Sequence, residues 1–259
     1  SGIFSFPAGS ASLVQGLAEG NPTAKDRARR WWQFARPTVA VYAAIASMQR
    51  VLVTAATSRT LAFALVPSNV VFSHATYVFA LDSFAASAVL QSLAHDMWAR
   101  AHASSMRNDM RYTPTDCFET FPFPKAYESL GAIGERYHTH RAASCQHFVE
   151  GLTKIANRFH DPAESSPQIR ELRDLHVALD RQALATYGWS DLPLDHDFRG
   201  TGRDTRFTVS DPIRQELLDR LLELTHQRHA AEIPQTAQTT TGGASARPRQ
   251  QPLFGGGPS

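Results

Sequence analysis

The run Ser105-Met106-Arg107-Asn108-Asp109-Met110-Arg111-Tyr112 places two guanidiniums, an amide and a carboxylate close together. An arginine can give two parallel N–H donors to a guanine edge, and an asparagine can pair twice with adenine. The same residue types also decorate polar loops that bind nothing, which is their commoner use. Arg29, Arg30 and Gln33 surround Trp31 and Trp32. Cationic groups of this kind suit a phosphate backbone, whereas large aromatic rings are more often core packing. Ser58 with Arg59 and Ser73 with His74 fall at the expected ends of strands, where loops can enter a groove.

Two other groupings invite a metal or catalytic reading and do not sustain it. In His138-Thr139-His140 followed by Cys145 and His147, the last two residues lie on different faces of a helix, and no closed four-ligand spacing appears. Asp195-His196-Asp197 reads as a polar loop. No catalytic or metal residue is therefore assigned.

The elements that must position these residues follow from periodicity and turn chemistry. Pro37 opens an Ala-rich helix over Thr38–Met48. Arg50–Ala55, Leu61–Val66 and Val70–Leu81 are rich in Val, Phe, Thr and Tyr and read as strands. Thr57-Ser58-Arg59 and Pro67-Ser68-Asn69 are the expected turns between them. Asp82 is the expected cap of a helix to about residue 104, with Ala85, Val89, Leu93 and Met97 on its buried stripe. A short strand at Arg111–Thr113 leads to Phe118–Pro124, where Pro122 and Pro124 forbid helix. Tyr127–His160 reads as one long or broken helix. Ser166-Pro167 and Asp211-Pro212 each start another. After Pro234 the composition turns to Thr, Gly, Gln, Pro and Arg, and a disordered tail is expected.

Composition sets wide bounds. The 259 residues are 42% hydrophobic and 19% charged, ordinary for a globular chain with a buried core. A net charge of +2 neither requires nor excludes nucleic acid, so the clustering of arginines matters more than the sum. Two cysteines, Cys117 and Cys145, make no disulfide framework. No leader pattern and no apolar run of roughly 20 residues appears, so the cytoplasm is the default location.

The order of these motifs resembles a known arrangement. Arg30-Trp31-Trp32-Gln33-Phe34-Ala35-Arg36-Pro37 is similar to the entry of the target-recognition domain of type IIG/IIL restriction–modification methyltransferases. Methyltransferases of the BREX and DISARM phage-defence systems are related. Phe72-Ser73-His74, then Arg111-Tyr112-Thr113 with Phe118-Glu119-Thr120-Phe121-Pro122-Phe123-Pro124, resemble the core of that domain. Leu172-Arg173-Asp174-Leu175-His176 and Tyr187-Gly188-Trp189 resemble its closing helical region. The likeness spans residues 27–232.

The resemblance implies an α+β fold: a small twisted sheet with packed helices, then a mainly α-helical region. It divides the chain into a linker (1–26) from an upstream catalytic domain, a target-recognition domain (27–125), a helical region (126–232) and a tail (233–259). It also implies that Arg29, Arg30, Gln33, Arg59, Ser73, His74, Arg107, Asn108, Asp109 and Arg111 contact double-stranded DNA. The complete enzyme would use S-adenosylmethionine to methylate adenine N6, with the base extruded from the duplex. The catalytic Asn-Pro-Pro-Tyr loop of such enzymes has no counterpart, since Asn21-Pro22 is followed by Thr23 and Ala24. No Asp…Glu-x-Lys nuclease cluster is evident either. This chain is expected to bind no cofactor and to transfer no methyl group alone. A separate specificity or interaction subunit, and a helical scaffold with no DNA role, are the alternatives.

Overall fold

The computed structural model describes residues 39–106 and 109–240. Two compact units are distinguished, 1–49 and 50–259. In the first, α1 spans Val39–Ile45, within the Ala-rich helix expected from the sequence.

The second unit begins with β1 (Arg50–Ala55), the centre of an antiparallel sheet ordered β3-β1-β4. Strand β3 is Phe63–Pro67 and β4 is Thr76–Phe79. Leu52 lies opposite Leu65 on one side and Phe79 on the other, which places three large apolar side chains on a single buried face. The long strand expected over Val70–Leu81 is thus shortened to its aromatic end. Val70 and Val71 are exposed, so they gain nothing from the sheet's core face.

A second antiparallel sheet is ordered β2-β6-β5, from β2 (Thr57–Ser58), β5 (Ser104–Met106) and β6 (Asp109–Arg111). Thr57-Ser58, expected as a turn, is a short strand because β6 offers it a partner. Strand β6 begins two residues earlier than the Arg111–Thr113 strand read from the sequence. Ala56 joins the sheets: its amide donates to the Ala75 carbonyl at 2.8 Å, and its carbonyl accepts the Tyr112 amide at 3.0 Å.

The helix expected from Asp82 to residue 104 is two helices, α2 (Phe84–Gln91) and α3 (Leu93–His102). Its cap is Ser83 instead of Asp82, with Ser83 Oγ accepting the amides of Ala85 and Ala86. Ser92 breaks the run with extended backbone. The stripe survives the break, and Ala85, Val89, Leu93 and Met97 all remain in one core. A short helix that the sequence reading omitted, α4 (Pro114–Cys117), follows Thr113 with proline in its first turn.

The remaining helices are α5 (Gly131–Phe148), α6 (Leu152–Phe159), α7 (Pro167–Thr186) and α8 (Asp211–Thr240). The segment 127–160 is therefore broken. Val149 takes a left-handed conformation (φ 54°), and Gly151 starts the next helix. Helix α8 runs past Pro234, where its end was expected. One proline removes one ladder donor, and the flanking Ala, Glu and Gln residues favour helix. Residues 241–259 of the expected tail lie outside the described residues.

Two hydrophobic cores result, and α2–α3 contributes to both. Leu90 and Ala99 join the sheet-side core with Phe63, Phe79 and Tyr112. Val89, Leu93 and Met97 join the helical core with Ile133, Phe159, Leu179 and Leu217. Arg141 of α5 ties the two halves, donating from Nη1 to Gln91 Oε1 at 2.9 Å and from Nη2 to the Phe63 carbonyl. Gln91 Oε1 also accepts the Phe63 amide at 3.0 Å.

Candidate nucleic-acid interface

Tyr112 and Arg111 are adjacent in the chain, so an extended backbone sends them to opposite faces. Tyr112 is fully buried, edge-on to Phe63 and Phe79 at centroid distances of 5.8 and 6.3 Å. Its hydroxyl lies 3.3 Å from His95 Nε2, and burial raises its pKa. Arg111 is left exposed on the opposite face. A slip of one residue would expose the tyrosine and bury the guanidinium, so the register of β6 is well specified.

The sheet pairing gathers candidates from distant parts of the chain. Thr57 lies opposite Arg111 and Ser58 opposite Met110, so Arg59 leaves the sheet beside the strand carrying Asp109 and Arg111. Ser104 flanks Arg111 on the other side. Ser73 Oγ accepts the Ala75 amide at 3.2 Å, and the Ser73 carbonyl accepts the Thr76 amide at 3.0 Å. This turn holds exposed His74 next to Ala75, the residue bonded to Ala56. Arg59, Ser73, His74, Asp109 and Arg111 therefore surround one joint. Arg29, Arg30, Gln33, Arg107 and Asn108 lie outside the described residues. Because Met106 pairs with Asp109, Arg107 and Asn108 are the two residues connecting β5 to β6.

The loop after β2 also meets the C-terminal half. There β7 (Asp197–Arg199) pairs with β8 (Arg206–Thr208) as a two-stranded ribbon. Arg59 Nη2 is 3.3 Å from Asp204 Oδ1, and Arg206 Nη2 donates to the Arg59 carbonyl at 3.0 Å. Between this contact and helices α3, α5, α6 and α7 lies a cavity of about 820 Å³.

The cavity wall is unusually polar for a protein interior. Desolvation opposes ionisation of Asp96, yet Arg100 at 2.8 Å holds its carboxyl below the usual range. Burial, with Arg206 nearby, lowers the His160 pKa to about 3, and His160 Nδ1 accepts the Phe207 amide at 3.1 Å. Deeper still, Asp180 is fully buried. Its Oδ1 accepts the Leu93 amide at 2.7 Å, and its Oδ2 sits 2.8 Å from His196 Nε2 and 3.5 Å from His176 Nε2.

Asp195-His196-Asp197, read as a polar loop, is thus partly structural. His196 is 3% exposed and bound to Asp180. Asp195 accepts the Ser210 amide at 2.8 Å, and Asp197 opens β7. Sequence reasoning missed Asp180. The available signal was a carboxylate beside Leu179, among the buried apolar positions Leu172, Leu175 and Ala183 of α7. Arg173, noticed only within a motif, is buried and donates to the carbonyls of Phe159, Glu164, Arg158 and Asp161, closing the end of α6. Among the described residues no three His, Cys, Asp or Glu side chains converge for a metal, and no helix is long and apolar enough to cross a membrane.

Residues 18–125 match the family model described as MmeI, target recognition domain. No curated protein sequence matches the chain significantly. A solved structure of the type IIL restriction–modification enzyme MmeI in complex with DNA is similar in fold, with a TM-score of 0.58 over 85% of this chain at 17% identity. The present chain spans 26% of the length of that one. Over residues 18–125 the chain is similar to the target recognition domain of MmeI, and the α+β fold expected from a type IIL-like recognition and helical region is the fold observed.

Proposed function

We propose that this chain recognises a specific double-stranded DNA sequence as part of a restriction–modification system. The carrying observation is the match of residues 18–125 to the MmeI target recognition domain. The likeness in fold to an enzyme solved with DNA supports the same reading. In this reading Arg107, Asn108, Asp109 and Arg111 contact base edges. Arg59, Ser73 and His74 flank them, and Arg29, Arg30 and Gln33 hold the backbone. The division of labour follows from chemistry: side chains with paired donors or acceptors discriminate bases, while isolated cations fix register without reading sequence.

The reaction served is transfer of a methyl group to adenine N6. S-adenosylmethionine is bound and the flipped base held by a catalytic domain or subunit other than these 259 residues. The chain acts in the cytoplasm, where genomic and invading DNA are both accessible. Selection from a randomised duplex pool at low salt tests the core claim. Enrichment of one motif is expected. A pool that stays flat while the protein remains folded would leave a scaffold without a DNA role as the better reading.

A further inference from the structure

The cleft between Arg59 and the β7–β8 ribbon is an uncommon place for cations to gather. Its lining carries six arginines (59, 100, 141, 199, 206 and 214) against four aspartates (96, 180, 204 and 211). Four of those arginines are paired to carboxylates, Arg59 to Asp204, Arg100 to Asp96, Arg199 to Asp195 and Arg214 to Asp211. Arg206 stands beside two of these pairs and, among the described residues, has no carboxylate within ion-pair distance of its own. Burial first, then the neighbouring Arg100 and Arg59 guanidiniums, lower its pKa against the opposing pull of Asp96 and Asp204, so three guanidiniums share one wall with two carboxylates. The uncompensated Arg206 charge is costly in a partly desolvated cleft, and an anion of high charge density relieves that cost. The wall is also fixed in advance. Arg206 is anchored to the Arg59 carbonyl, Arg100 to Asp96, and His160 to the Phe207 amide.

We infer that this cleft is a phosphate seat, in which Arg206 and Arg59 together hold a backbone phosphate of the duplex whose bases β6 reads. The assignment rests on the DNA-recognition reading above and extends it to the C-terminal half, where no residue was expected to contact DNA. Geometry favours a backbone phosphate over a free phosphorylated molecule. Arg59 follows directly on β2, and β2 is paired to β6, so a phosphate at the cleft mouth lies one strand away from Arg111. A contact from residue 206 would also clamp the β7–β8 ribbon against the recognition sheet when DNA is bound. Arg206 is in this sense a positioning residue, uniform across sequences.

The test is fluorescence anisotropy of a labelled duplex with the full chain, over a range of KCl concentrations. Arg206→Gln is expected to weaken binding to every duplex alike, on the order of tenfold at low salt, and to flatten the slope of log K against log salt by about one unit. Arg206→Lys restores most of the slope, which a loss of folding would not. Arg220→Gln, on α8 and bonded to Asp191 and Glu216, serves as the control and leaves the slope unchanged. If wild type binds duplex and Arg206→Gln matches it in affinity and slope, the seat is refuted while the recognition reading stands. If wild type binds no duplex at any salt, the recognition reading fails and the backbone seat with it. Pyrophosphate separates the other source: stabilisation of wild type but not Arg206→Gln against heat, with duplex binding equal in both, assigns the cleft to a free phosphorylated ligand and overturns the backbone assignment.

Discussion

Arg111, proposed above to read bases, and Tyr112, buried in the core, lie on opposite faces of β6. Replacing Arg111 with alanine should relax preference at one position of the target, by about 1–3 kcal/mol for a lost paired contact. Methylation-sensitive sequencing with the complete enzyme reads this directly, and an unchanged motif with retained activity would move base reading to Ser73 or His74. A pH effect also arises at this scale. Burial lowers the His95 pKa to about 4, and His160 is held at about 3. An unfolded histidine titrates near 6.5. Both residues are neutral in the fold, so their contribution is complete above about pH 6.5 and is lost as pH falls toward 4. Glu164 adds to the loss below that. The Ser166 amide and then Arg158 lower its pKa to about 2, so its stabilisation fades as pH drops from about 4.5. Denaturant midpoints should stay level from pH 8 to about 6.5 and decline from there to pH 4; a profile flat throughout would place these histidines in contact with solvent. None of this was visible in the sequence, where His95 is one more residue on a helix.

At the scale of elements, close approach and remote capping fix the arrangement. Gly134 on α5 faces the Phe84 carbonyl of α2 so closely that a Cβ there would overlap it. Gly134→Ala should therefore cost about 1–3 kcal/mol by overpacking, although alanine is the better helix former. An unchanged denaturant midpoint would mean that α2 and α5 stand further apart. Asp180 does for α3 what Ser92 does not: Ser92 makes no side-chain cap bond, and the first amide of α3 finds its acceptor on α7. Asp180→Asn keeps the shape, removes the charge and should cost about 1.5–3 kcal/mol, read by thermal melting with circular dichroism. Element existence was largely legible, because apolar spacing and turn residues are local. Strand β1 falls at the residues expected for it, and the α2–α3 stripe packs as read. The break at Ser92 and the conversion of Thr57-Ser58 to a strand were illegible, because each depends on a partner far away in the chain. Pro114 after Thr113 was a readable start signal for α4 that the proline-rich stretch behind it obscured.

For the whole molecule, the proposed role in recognition leaves cofactor binding and base insertion to another domain or subunit. Calorimetric titration of the chain with S-adenosylmethionine should give no stoichiometric heat, and a micromolar signal would require a cofactor site absent from this reading. The order of motifs made the family resemblance legible, while the joint at Ala56 and the cleft at Arg206 emerge only once distant segments pair. The capping of α3 by Asp180 also constrains how the chain can be made. Helix α3 underlies the recognition sheet, yet its acceptor lies 87 residues downstream. At about 5–20 residues per second, a ribosome needs on the order of ten seconds to deliver it. During that interval the apolar stripe of α2–α3 is covered by α5 and α6 but not yet by all of α7 and α8. A chain that ends near residue 125 therefore lacks both the acceptor for the first amide of α3 and the helices that bury its stripe, and its apolar surface suits capture by chaperones.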